Sequence, residues 1–86
     1  MGSKRKTLSK ILSGAADKNI AFRDLVSLLK SLGFDERTRG DHHILTMDEV
    51  EEIINIQPKG AKAKAYQVKQ VRDLILKYRL AEENDA

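Results

Sequence analysis

The sequence predicts an α+β domain, with a helix, a three-stranded antiparallel meander and a closing helix, both helices lying on one sheet face. Three observations predict it. Apolar residues recur on the helical period over about Ala21–Leu32 and again over about Ala65–Arg79. Three short strand-like segments lie between them, the first two separated by the turn signal Gly40-Asp41. The links between those segments are too short for the crossovers that parallel strands need.

Taken in order, Leu8, Ile11 and Leu12 stand at i, i+3 and i+4, so Thr7–Ser13 should start a short helix ahead of Gly14. In the next helix Phe22, Leu25, Val26, Leu29 and Leu32 form the apolar stripe, with Leu28 widening it. Asn19 is a candidate cap there, and Gly33 the stop. Phe34–Arg39 reads as a polar strand, His42–Met47 as a second and Glu51–Gln57 as a third, ended by Pro58 and Gly60. The stretch Lys59–Lys64 reads as a loop. Val68, Val71, Leu74, Ile75 and Tyr78 align on the last helix. Phe22, Leu25, Val26, Leu29, Val68, Val71, Leu74 and Ile75 are the expected core.

The chain has 86 residues, no Cys, no Trp and a single Pro. That is one small domain, which buries only about 60–65% of its unfolded surface and relies on packing alone. Without cysteine there is no disulfide scaffold, no thiol nucleophile and no cysteine-bound zinc. A reducing cytoplasm suits such a chain. No apolar run approaches a membrane span.

The net charge of +3 hides a segmented pattern. Residues 41–54 hold Asp41, Asp48, Glu49, Glu51 and Glu52 with no Lys or Arg. Residues 55–80 hold Lys59, Lys62, Lys64, Lys69, Arg72, Lys77 and Arg79 against Asp73 alone. A basic C-terminal half implies an anionic partner, and the acidic stretch forms a separate face or edge.

The one titratable group in a distinctive setting is the pair His42-His43, just after the Gly40-Asp41 turn. Neighbours on a strand point to opposite faces, so the two cannot chelate a metal together, and no third ligand stands at usable spacing. No metal or other cofactor is expected. Cations are available nearby: Arg37 and Arg39 precede the turn, and Lys59, Lys62 and Lys64 precede the last helix among small residues that let a phosphate approach. The plainer alternative makes those lysines a solvated loop.

Around this turn the chain resembles the HicA family of toxin components of toxin–antitoxin modules. The resemblance rests on Gly40-Asp41-His42 followed by His43-Ile44-Leu45, on Leu32-Gly33-Phe34 at the end of the upstream helix, on Ile56-Gln57-Pro58-Lys59-Gly60, and on the Val-bearing last helix. It covers about residues 20–80. It implies a double-stranded-RNA-binding-domain-like α-β-β-β-α fold and an endoribonuclease acting on mRNA, held inactive by a HicB-like antitoxin protein. Lys59 and Gly60 stand where many relatives carry a second histidine, which leaves His42 as the implied catalytic imidazole. Arg37, Arg39, Gly40, Lys59, Lys62 and Lys64 are then the expected RNA contacts. Residues 1–19 form a basic N-terminal extension with a helical piece, 20–80 the domain, and 81–86 an acidic tail expected to be disordered. Two other functions fit the same residues: a non-catalytic RNA-binding module of this fold, or a small protein-interaction domain using its acidic and basic faces.

Overall fold

The computed structural model describes residues 2–83, with side chains described for residues 4–81. Its elements are α1 (Gly2–Ser13), a 3-10 turn (Asp17–Asn19), α2 (Phe22–Ser31), β1 (Asp35–Arg39), β2 (His42–Met47), β3 (Val50–Ile56), β4 (Pro58–Lys59), β5 (Lys62–Ala63), α3 (Ala65–Lys77) and α4 (Leu80–Glu83). β1, β2 and β3 form the expected antiparallel meander in sequential order. The α+β class and the α-β-β-β-α order are as the sequence predicts. No helix among the described residues is long and apolar enough to cross a membrane.

Alternation sorts the sheet. Leu45, Ile54 and Ile56 point inward and are fully buried, while Ile53, one residue out of phase, is 62% exposed on the outer face. The inner face meets Phe22, Leu25, Leu28 and Leu29 of α2 and Val68, Val71, Leu74 and Ile75 of α3 in one cluster. Val26, expected in that core, is only half-buried at its margin.

Gly33 ends α2 in a Schellman arrangement. Its N–H donates to Lys30 C=O (3.1 Å), and Phe34 N–H donates to Leu29 C=O (3.1 Å), so two orphan carbonyls are satisfied. At φ +113°, and with a Cβ there placed 3.0 Å from Met47 Sδ, only glycine fits. Gly40, at φ +58°, opens the two-residue turn that sets Arg39 opposite His42.

Three details differ from the sequence-based expectation. Asn19 does not cap α2. The N-terminus of α2 is closed instead by Ala61, whose carbonyl accepts from Phe22 N–H at 2.9 Å. Lys59–Lys64 is not a loop but a small hairpin, with Pro58 opposite Ala63 and Lys59 opposite Lys62. Two-residue strands carry too short a pattern to show alternation. Leu80–Glu83 makes a helical turn with Leu80 buried, where an unstructured tail was expected from residue 81. Residues 84–86 of that tail lie outside the described residues.

The N-terminal segment is part of the core. α1 starts earlier than its apolar pattern suggests, and Ile11 is wholly buried in the common cluster. Arg72 of α3 fastens the segment: its Nη1 donates to Ile11 C=O (3.1 Å) and to the Asp17 carboxylate (2.9 Å). On the other side of α3, Glu52 accepts from Lys77 Nζ (2.7 Å) and from the Tyr78 hydroxyl (2.6 Å), tying β3 to the helix. The Lys77 ammonium first, and the Tyr78 hydroxyl second, pull the Glu52 carboxyl down to about 2, and Glu52 in turn raises Lys77.

Ile11→Ala should destabilise the whole domain by about 2–5 kcal/mol, whereas truncating its exposed neighbour Leu12 should cost far less. Urea unfolding of both variants checks this, and a native midpoint for Ile11→Ala would make α1 a mere appendage. A second expectation concerns acid. Because the Glu52 pKa is lowered on folding, its contribution is complete above pH 4.5 and lost as pH falls toward about 2. Glu52→Gln should therefore flatten the stability–pH curve over that window, in a series of urea titrations.

Candidate functional site

The two-residue turn fixes the β1–β2 register, and the register decides what each histidine faces. Arg39 pairs with His42, Thr38 with His43, Arg37 with Ile44 and Glu36 with Leu45. His42 therefore lies on the outer face with Arg39, Arg37 and Ile44. Across the sheet its Nδ1 meets Asn55 Oδ1 at 3.0 Å, so the nitrogen donates to the amide oxygen. Arg37 and Arg39 border an open depression along β1 with Ile44 and Thr46.

His43 turns inward, on the face of Leu45, and its ring meets that of Phe22 edge-on with centroids 4.9 Å apart. Its Nδ1 lies 2.6 Å from Glu36 Oε2. Glu36 is diagonal to His43 on the same face, and its other oxygen lies 3.4 Å from Lys30 Nζ. The hydrogen bond from His43, the largest influence, holds the Glu36 carboxyl below the ordinary range; burial, next in size, opposes it, and Lys30 adds to the lowering. An ionised carboxylate only accepts, so Nδ1 carries the proton and Nε2 is the basic nitrogen of neutral His43. The side chain is about one-quarter exposed. It opens on a groove of about 400 Å³ that is lined also by Phe22, Arg23, Ser27, Lys30 and Pro58.

The lysines lie on the neighbouring hairpin. Lys59, Lys62 and Lys64 line a second, larger groove of about 830 Å³ with Lys18 and Tyr66. Lys62 Nζ donates to Asn19 Oδ1 (2.9 Å) and Lys64 Nζ to Gln57 Oε1 (3.5 Å). Both acceptors are neutral, so they orient the ammonium groups without cancelling charge. The hairpin is held in place from both ends. Ala63 N–H donates to Ile20 C=O (2.9 Å) beside the Phe22–Ala61 bond. The buried Gln67 amide, oriented by its hydrogen-bond network, donates to Gln57 C=O (3.1 Å) and accepts from Gln57 N–H (3.0 Å).

The expected site residues thus fall into separate places. His42, Arg37 and Arg39 share the outer face around the turn of Gly40, while Lys59, Lys62 and Lys64 share the hairpin groove. Pro58 lines the His43 groove and Lys59 the lysine groove, so adjacent residues wall the two. Sequence reasoning missed Glu36, Arg23, Lys30, Lys18 and Tyr66. Counting back from the two-residue turn would have found Glu36, since it falls on the same face as His43. The others come together only through the packing of the 3-10 turn, α2 and α3 around the hairpin.

No curated protein and no solved structure matches the chain significantly. A family model described as the HicA toxin of bacterial toxin–antitoxin systems matches residues 22–78, which spans α2 through the end of α3 and includes the turn, both histidines and the lysine hairpin. The chain belongs to the HicA toxin family.

Proposed function

We propose that this protein is a toxin-type endoribonuclease that cleaves mRNA in the cytoplasm and is neutralised by a HicB-like antitoxin. The observation that carries the chemistry is the His43–Glu36 contact of 2.6 Å at the edge of a groove bearing Arg23 and Lys30. RNA brings its own nucleophile. Neutral His43 accepts the 2′-hydroxyl proton at Nε2, the 2′-oxygen bonds to phosphorus, and the bond from phosphorus to the 5′-oxygen breaks. The leaving oxygen takes its proton from water or from the imidazolium just formed. Glu36 stabilises that imidazolium and fixes the tautomer, as a carboxylate behind a catalytic imidazole does. Arg23, which pairs with no acidic side chain among the described residues, is placed to offset charge growing on the phosphorane. No step needs a metal ion.

His42 supports a second reading. It is the residue of the Gly40-Asp41-His42 element, and it shares the outer face with Arg37 and Arg39. Its partner there is a neutral amide, which orients the ring but does little for an imidazolium.

The two readings separate by mutation. His43→Gln should lower cleavage of purified RNA by about 10²–10⁴-fold with the fold retained by circular dichroism, and Glu36→Gln should fall in the same direction. His42→Ala should stay within a few-fold of the parent. The opposite ranking would move the reaction to the outer sheet face. Products should end in 2′,3′-cyclic phosphate, and EDTA should leave the rate unchanged. A parent protein that binds RNA without cutting it would make this a binding module instead.

RNA affinity should also depend on the lysine hairpin. For single strands each lost phosphate contact lowers the log–log salt slope by about 0.7. Replacing Lys59, Lys62 and Lys64 together by Ala should therefore lower it by about 2. An unchanged slope in a salt titration would make the hairpin a solvated surface, and the RNA contacts would have to lie elsewhere.

A further inference from the structure

We propose that Tyr66 is a stacking platform for an unpaired nucleobase of single-stranded RNA, seated among the lysines of the hairpin groove. The proposal rests on the ribonuclease reading and names how that activity selects its substrate's form. Tyr66 is 66% exposed, the most exposed of the large apolar and aromatic side chains among the described residues. Its hydroxyl and ring have no protein partner among the described residues. The chain's other tyrosine shows what a structural role looks like here: Tyr78 is half-buried, and its hydroxyl is bound to Glu52 at 2.6 Å.

The setting of Tyr66 indicates the ligand. Lys18, Lys59, Lys62 and Lys64 line the same groove, and no carboxylate lines it among the described residues. Among the described residues, Lys62 and Lys64 donate to neutral amides. Four such ammonium groups call for a polyanion from outside. An unpartnered ring among them calls for a flat apolar surface on that polyanion. Single-stranded RNA supplies both, because its bases can splay out and stack while its phosphates meet the lysines. A duplex keeps its bases stacked on each other and offers the ring nothing. Tyr66 is also rigidly mounted. It is the second residue of the 13-residue helix α3, whose start is fastened by the buried Gln67 to Gln57, the residue between β3 and β4.

Binding rather than cleavage tests this, with the full chain and a fluorescent 2′-O-methyl oligonucleotide, which cannot supply the 2′-hydroxyl nucleophile. Tyr66→Ala should weaken binding of the single strand by roughly 5- to 100-fold at constant salt, the range found when a stacking aromatic is truncated. Tyr66→Phe should stay within about threefold. On an abasic strand of the same length, parent and Tyr66→Ala should bind alike, and the salt slope should be the same for both. Equal binding of the intact strand by Tyr66→Ala would overturn the proposal, as would an equal loss on the abasic strand. A parent that binds the single strand tightly but never cleaves RNA would leave the platform standing and remove the nuclease. A parent that binds no single strand would remove both.

Discussion

Two backbone hydrogen bonds at 2.9 Å, Phe22 N–H to Ala61 C=O and Ala63 N–H to Ile20 C=O, are what the rest of the site depends on. A helix N-terminus leaves N–H groups without internal partners, and this chain offers no side chain to cap α2. The hairpin meets that need with its own backbone. In doing so it fixes Phe22 against the His43 ring, brings Lys62 to Asn19 and sets Pro58 at the mouth of the imidazole groove. Gly60 and Ala61 are therefore structural before they are functional: Gly60 takes the φ of +62° that the turn needs, and Ala61 supplies the carbonyl that α2 binds. Gln67 secures the far side through Gln57, a buried amide with both its polar atoms satisfied.

The histidine pair shows how strand geometry divides labour between neighbours of the same chemistry. Period-two alternation sends His42 to an open sheet face and His43 to the helix-covered one. Each finds an acceptor for Nδ1, an amide for the first and a carboxylate for the second. The difference matters when a proton arrives at Nε2. An amide then faces a new positive charge with only a dipole, whereas Glu36 meets it with a full negative one. The carboxylate itself is kept ionised by the contacts with His43 and Lys30.

Much of this was legible in the sequence. Periodicity located both long helices and three strands, and Gly33 and Gly40-Asp41 marked the stop and the turn, because those features are local. The opposite placement of the two histidines also follows from alternation alone. Other features depend on contacts between distant segments and leave no local pattern. Asn19 has the chemistry of a cap, yet it lies two residues ahead of the N-cap position, Ala21, and serves Lys62 instead. The hairpin carries only two-residue strands, so its pairing is visible only where it touches Ile20 and Phe22. The burial of Ile11, in the segment that reads as an N-terminal extension, likewise depends on partners elsewhere in the chain, as does that of Leu80 at the domain's end.

Charge sorting is the clearest case in which three dimensions change the meaning of a one-dimensional count. By composition, all seven cations of residues 55–80 look equivalent. In the fold, Arg72 is bound by Asp17 and Lys77 by Glu52, so these two hold elements together and offer little to an external anion. Lys62 and Lys64 are positioned by amides and keep their field, with Lys59 beside them and Lys18 joining from the 3-10 turn. Of the five cations left over, three stand together on one hairpin, while Lys69 and Arg79 lie exposed apart from it. That hairpin also borders the imidazole groove, since Pro58 and Lys59 are consecutive and their Cα atoms lie only about 3.8 Å apart. The same short element that caps α2 thus walls both grooves, and its backbone bonds to Ile20 and Phe22 fix it between them.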